Sequence, residues 1–337
     1  MPDAIDHDHG AGARVSPVTV LTGFLGAGKT TLLNRILNGD HGLRIAVLVN
    51  DFGSINIDSD LVIGLESDGD IISLANGCVC CNIRDDLLAA VQRVIERPDQ
   101  PEYIVLEASG VAEPSGIVLT FGDPGLRDRI RLDSIMCVMD AAQIFAIPEL
   151  MDLKLRQIAY SDLLILNKTD LVSRQEIGRI TAWLDEHFAR YRLVQTVRGN
   201  VPLEVLLAEG RFDPAQLDGG DHHHHDCVDP QPGHHDHQEA FSTWSYETDE
   251  PLSLEALRET VKKLPAGVYR CKGVIHSTDE PGRRSVLQVV GKRVDIALDE
   301  EWGERTPRTQ IVAIGAHGTV DGEDLRRRFD CCVSSTV

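Results

Sequence analysis

The 337-residue sequence predicts a doubly wound, mostly parallel α/β domain followed by a smaller α+β domain. Three observations carry that prediction. Five apolar runs of strand length, at 18–23, 44–50, 103–109, 134–141 and 162–168, lack the alternation of a half-exposed strand and so suit strands covered on both faces. Amphipathic segments at 29–39, 84–97, 149–160 and 173–189 are interleaved with them, the order of a sheet wound with helices on both sides. A compositional break at 217–240, with seven histidines, six acids and no lysine or arginine, cannot build a core and separates this pattern from a different one.

In chain order, residues 1–16 are polar, hold Gly10 and Gly12 and show no periodicity, so a flexible tail is expected before Pro17. The α/β domain is then expected over 17–216 and the His/Asp-rich segment over 217–240 as a flexible linker. Beyond it, "FSTWSYE", "SLEALRETVKKL", "VYRCKGVIHS", "RSVLQVVGKRVDIAL", "TQIVAIGA" and "DGEDLRRRF" read as a β-α-β-β-β-α module over 241–330, with a tail at 331–337. The sequence shows no internal repeat.

Lys+Arg 33 against Asp+Glu 53 gives a formal charge of 33 − 53 = −20, which disfavours nucleic acid and anionic membrane as partners, because both need basic surface. The first twenty residues carry acids and histidines where a secretory signal needs a basic start and an apolar run, and no segment has the length and apolarity of a membrane span. A cytoplasmic location is therefore expected. There thiols stay reduced, and clustered cysteines bind metal or react more often than they pair.

"GFLGAGKTT" fits G-x-x-x-x-G-K-[ST] and lies between an apolar strand and a helix, where the phosphate loop of P-loop NTPases must lie. Gly23, Gly26 and Gly28, with Ala27, let the backbone curl so that its N–H groups face the phosphates. Lys29 reaches the β- and γ-phosphates, the Thr30 hydroxyl ligates Mg²⁺, and Thr31 is a further expected nucleotide-binding residue of the loop. "LLILNKTDL" adds N-K-x-D, in which Asp170 can accept from the N1–H and exocyclic amine of guanine, so Asn167, Lys168 and Asp170 point to GTP. Glu107, ending the strand of "VLEASGVAEP", is the expected second anchor for Mg²⁺, and the loop after it can sense the γ-phosphate. Asn50, Asp51 and Gly53 form a candidate first switch, with Asp51 a candidate catalytic acid; plain turn chemistry is the alternative there.

"GCVCC" places Cys78, Cys80 and Cys81 within four positions after a glycine. Three thiolates with an open position suit a zinc-sized ion, soft sulfur favouring zinc and cuprous copper and also admitting cobalt, although redox cycling of a C-x-x-C pair and inert burial stay open. His222, His223, His224, His225, His234, His235 and His237, beside Cys227, can catch borderline divalent ions without fixing a geometry, or can simply be a solvated spacer. His7 and His9 read as tail. Cys137, within an apolar strand, reads as core, and Cys331 and Cys332 carry no assignment.

In this order, "GFLGAGKTTLLN", "GCVCC", "EASGVAEP" and "NKTDL" resemble the CobW-type family of GTP-dependent metallochaperones, relatives of the nickel-handling UreG and HypB GTPases. The resemblance runs from about Pro17 to Phe329, with "YRCKGVIHS", Trp302 and "IVAIG" similar to the family's C-terminal domain. It implies a GTPase that loads zinc or cobalt onto a client protein, binding the ion through Cys78, Cys80 and Cys81 when Mg·GTP is present. Departures fall at Val49, Ser54 and Gln143, where some relatives carry acids and a histidine as further metal ligands. Asp51 is shorter than the family's switch glutamate, and Ala108 replaces a hydroxyl residue. A passive zinc or cobalt store with a regulatory nucleotide site is the alternative, and a small-molecule kinase a more distant one. The sequence fixes neither the metal, the client, the general base nor the oligomeric state, for which a metal- or nucleotide-dependent dimer stays open.

Overall fold

A computed structural model of the chain describes residues 15–51, 71–75, 83–97, 100–121, 126, 129–207, 241–303, 305–318 and 320–333. The first domain runs β1 (Ser16–Thr22), α1 (Lys29–Leu37), β2 (Ile45–Asp51), β3 (Ile71–Ala75), α2 (Ile83–Ile95), β4 (Tyr103–Glu107), α3 (Pro114–Phe121), β5 (Ile130–Asp140), α4 (Met151–Ala159), β6 (Leu163–Asn167), α5 (Arg174–His187), β7 (Leu193–Gln195) and α6 (Leu203–Leu206). Its strands form one sheet in the order β3-β2-β4-β1-β5-β6-β7, and every pairing is parallel. The strand order reverses at β1, and the loops at the carboxyl ends of β1 and its neighbours are where such sheets bind ligands.

Both faces are dry, as the unalternating strands require. On one, Leu87, Ala90, Val91 and Val94 of α2 and Ile117 and Phe121 of α3 cover Val20, Leu48, Leu106 and Ile135. Further along that face, Ile158 of α4 and Ile180 and Leu184 of α5 pack on Cys137, Met139, Leu164 and Leu166. On the other, Leu32, Leu33 and Ile36 of α1 and Val205 and Leu206 of α6 meet Leu21, Val47, Val105 and Val138. Each buried Val, Leu, Ile, Met or Phe among them contributes about 1.5–3 kcal/mol by leaving water. Helix α5 begins with a capping box in which Ser173 accepts from Glu176 N and the Glu176 side chain accepts from Ser173 N.

The second domain runs β8 (Phe241–Thr248), α7 (Leu254–Lys262), β9 (Val268–His276), β10 (Arg283–Val290), β11 (Arg293–Glu301), β12 (Thr309–Ala316) and α8 (Gly322–Asp330). Its antiparallel sheet has the order β11-β10-β9-β12-β8. One expectation is corrected here: the run "RSVLQVVGKRVDIAL" is two strands, so the module is β-α-β-β-β-β-α. The chain reverses at Gly291, with φ +55°, and β10 pairs antiparallel with β11 from Val290↔Arg293 onward. The folded chain also continues past 330, since Cys332 is in this domain's core and Val333 bridges Leu252.

The two domains meet at the amino ends of the first sheet's strands, away from the phosphate loop. Arg270 of β9 donates to both carboxylate oxygens of Asp133, at 3.0 and 3.3 Å, and to the Val205 carbonyl at 3.0 Å. Both side chains of this pair are 1% exposed. Tyr103 Oη donates to Asp133 at 2.7 Å and lies 2.8 Å from Thr19 Oγ1, itself 3.0 Å from Ser134 Oγ. Among the described residues no helix is long and apolar enough to cross a membrane.

Candidate nucleotide site

Strand β1 ends at Thr22 and the chain turns directly into α1 through "GFLGAGKT". Gly23 has φ +129°, and a Cβ there would fall 2.1 Å from the Val138 carbonyl oxygen, so only glycine lets the loop lie on β5. Gly28 has φ +105° and is the N-cap residue of α1; a Cβ on it would sit 2.4 Å from Asn167 Nδ2. The glycine pattern is thus required by two particular neighbours. Ala27 N donates back to the Phe24 carbonyl at 3.2 Å, and buried Lys29 places Nζ 3.3 Å from the same oxygen. That amine lies across the loop it would share with a polyphosphate.

Thr30 Oγ1 donates to Glu107 Oε1 at 2.8 Å, so the hydroxyl at the start of α1 and the carboxylate at the end of β4 come together as the sequence predicts. Two adjacent hard oxygens, one anionic and 3% exposed as a residue, fit the coordination preferences of Mg²⁺. Glu107 is held there because β4 pairs with β1 from Val18↔Ile104 to Leu21↔Glu107, beside the strand that delivers the loop.

N-K-x-D follows β6 two strands away. Asn167, 2% exposed, donates to the Ala27 carbonyl at 3.0 Å and accepts from Gly199 N at 2.9 Å, tying the phosphate loop to the loop after β7. Lys168, with φ +60°, donates to the Gly26 carbonyl and to Asp140 Oδ2, both at 2.7 Å. Asp170 stands exposed on the 3-10 turn Thr169–Leu171, which is anchored where Thr169 Oγ1 donates to the Thr196 carbonyl at 3.0 Å.

Sequence reasoning missed several supporting residues. Asp140 ends β5 and accepts from Ala142 N, Gln143 N and Lys168. Lys154 of α4, 3% exposed, donates to the carbonyls of Ile144 at 3.0 Å, Gln143 at 3.4 Å and Ala146, and stands 4.7 Å over the Phe24 ring. Burial pulls its amine below the usual lysine range, while the charge of Asp140 opposes that shift. A buried lysine leaves no mark in a pattern that otherwise reads as a solvated helix face.

Of the remaining expected site residues, Asp51 ends β2 beside Ala75 of β3. Gly53, Ser54, Cys78, Cys80, Cys81, His222 to His225, His234, His235, His237, His7 and His9 lie outside the described residues. Among the described residues no group of three or more His, Cys, Asp or Glu is arranged to hold a metal. Cys137 is core, 2% exposed, with burial pushing its thiol up to about 12, and Cys271 is pushed to about 12 by the same cause. Cys331 is exposed. An alkylating reagent at pH 8 is therefore expected to modify Cys331 in the native chain and to reach Cys137 and Cys271 only after denaturation, as read by peptide mass spectrometry.

Residues 17–195 match the family described as CobW/HypB/UreG, nucleotide-binding domain. The chain belongs to that family. Residues 241–333 match the cobalamin synthesis protein cobW C-terminal domain. Among its relatives, a protein named zinc chaperone CobW from Pseudomonas aeruginosa is 35% identical, with 89% of this chain and 87% of the relative aligned. A zinc-regulated GTPase metalloprotein activator 1 from Dictyostelium discoideum is 32% identical over 85% of this chain and 68% of its own length. Zinc chaperone YjiA from Escherichia coli K12 is 30% identical over 93% and 97%. With its family's nucleotide-binding domain and N-K-x-D seated against the phosphate loop, this CobW-family chain is a GTPase.

Proposed function

We propose that the chain is a cytoplasmic, GTP-dependent zinc metallochaperone: it holds a zinc ion on the thiolates of Cys78, Cys80 and Cys81 while Mg·GTP is bound, and passes it to a client protein on hydrolysis. One observation carries this reading. β3 brings the chain to the carboxyl edge of the sheet at Ala75, three residues before Cys78, and α2 begins at Ile83, two residues after Cys81. Lys29, Thr30 and Glu107 lie on that same edge. The zinc chaperone names of two relatives, aligned over 87% and 97% of their own length, favour zinc over cobalt.

Thr30 and Glu107 would hold Mg²⁺, which neutralises charge on the β- and γ-phosphates when bound. Lys29 would bear on the same oxygens, and the glycine backbone would supply N–H donors. Asn167 and Lys168 keep the phosphate loop and base loop in one rigid unit, and Asp170 reads guanine. Residues 17–216 would form the working GTPase domain, 217–240 a linker whose histidines buffer the ion, and 241–333 the domain that meets the client.

Binding of ion and nucleotide must be reciprocal if they are coupled. The test is a zinc competition titration of the full chain against a chromophoric chelator, with and without Mg²⁺ and a non-hydrolysable GTP analogue. Zinc affinity is expected to rise by about tenfold or more with the analogue and to lose that rise when the three cysteines are replaced by serine. Unchanged affinity in the serine variant would sink the site, and several ions bound per chain without nucleotide would point to a passive store instead.

A further inference from the structure

Helix α4 makes contacts in two places that the nucleotide chemistry does not itself connect. In its last turn, Gln157, 1% exposed, donates through Nε2 to the carbonyls of Gly110 and Ala112, each at 3.1 Å. Those residues form the loop after Glu107. A Cβ on Gly110 would lie 2.6 Å from Leu25 N, so this loop rests directly on the phosphate loop. One turn earlier, Lys154 stands over Phe24 of the phosphate loop.

The C-terminal end of the same helix meets the second domain. Ser161 Oγ donates to the Gln157 carbonyl at 2.6 Å, and the Ala159 carbonyl accepts from Lys292 Nζ at 2.8 Å. Asp162 accepts from Lys292 N at 3.1 Å through its backbone carbonyl, and through Oδ2 from Arg293 Nε at 2.8 Å and Ile135 N at 2.9 Å. At the hairpin turn a Cβ on Gly291 would fall 1.7 Å from the Asp162 carbonyl oxygen, so the contact has no slack.

We propose that α4 couples the nucleotide site to the second domain, with Gln157 as the positioning residue that makes the helix follow the loop after Glu107. One buried amide holds two carbonyls. A displacement of Gly110–Ala112 on the order of 1 Å would take both bonds beyond useful length unless α4 moved with them. Packed through Ile158 and pinned at Asp162, the nine-residue helix moves as a body, and its end carries the β10–β11 hairpin. The GTPase would thereby present its C-terminal domain differently in its two nucleotide states.

The test is amide hydrogen exchange across residues 283–301 of the full chain, with Mg²⁺ and either GDP or a non-hydrolysable GTP analogue. Exchange in the hairpin is expected to differ about threefold or more between the two nucleotides, and the difference to vanish in Gln157→Met, which keeps length and loses both donors. In that variant kcat per nucleotide-binding site, with sites counted by titration with the GTP analogue so that unfolded protein is excluded, should fall about tenfold with KM within about threefold. If Gln157→Met does not fold, Lys292→Met, altered at the other end, should change the ratio of GTP-analogue to GDP affinity by about threefold or more, as linkage demands. A hairpin indifferent to nucleotide, a difference that survives in folded Gln157→Met, or an unchanged affinity ratio in Lys292→Met overturns the proposal.

Discussion

Asp133→Ala is expected to destabilise the chain by about 3–5 kcal/mol, the cost of leaving a buried charge without its partner. Arg270 is 1% exposed and keeps only the Val205 carbonyl once the carboxylate is gone, while Tyr103 Oη loses its bond to Asp133. The effect should exceed that of removing an exposed pair such as Lys262–Glu259, whose attraction solvent screens. Urea unfolding followed by circular dichroism would show the midpoint falling. The double replacement Asp133→Leu with Arg270→Met should recover most of the loss, because desolvating the intact pair itself costs free energy. A loss below about 1 kcal/mol for Asp133→Ala would mean that water or chain relaxation rescues the arginine, and that the pair does not hold the domains together.

That pair was invisible to the sequence because nothing in "RLDSIM" or "VYRCKG" distinguishes a surface acid and base from partners across an interface. The phosphate loop, Glu107 and N-K-x-D were legible, since each is a short stretch whose residue types follow from one ligand, and the fold brings them together. The apolar runs gave five strands, but β7, of three residues, was too short to stand out, and the run of β3, Ile71–Ala75, is interrupted by Ser73. "RSVLQVVGKRVDIAL" read as one strand because its turn is made by a lone Gly291 without the Asn-Gly or Asp-Gly signal of a tight hairpin. Lys154 and Gln157 were missed for a related reason. On a helix their spacing is that of ordinary polar residues, and only the tertiary fold reveals that what they face is the backbone of two nucleotide loops.

Asp170→Asn is expected to weaken GTP binding by on the order of 100-fold and to raise affinity for xanthosine triphosphate, through hydrogen-bond matching alone. The other polar residues of N-K-T-D are engaged internally: Asn167 with Ala27 and Gly199, Lys168 with Gly26 and Asp140, and Thr169 with Thr196. Asp170, exposed on its 3-10 turn, makes no hydrogen bond to another described residue, so its carboxylate is available to accept from the guanine N1–H and exocyclic amine. An asparagine retains one acceptor but turns an N–H donor toward that amine, whereas xanthine presents a carbonyl at the same position. Because Lys29, Thr30 and Glu107 are untouched, the grip on the phosphates should be unchanged, and the whole effect should appear as a change of base preference. Fluorescent-nucleotide titrations with GTP, XTP and ATP as competitors measure it. GTP affinity within about threefold of the native value would show that the base is read elsewhere, most directly by the backbone between Thr196 and Gly199, which Asn167 and Thr169 hold beside the same loop.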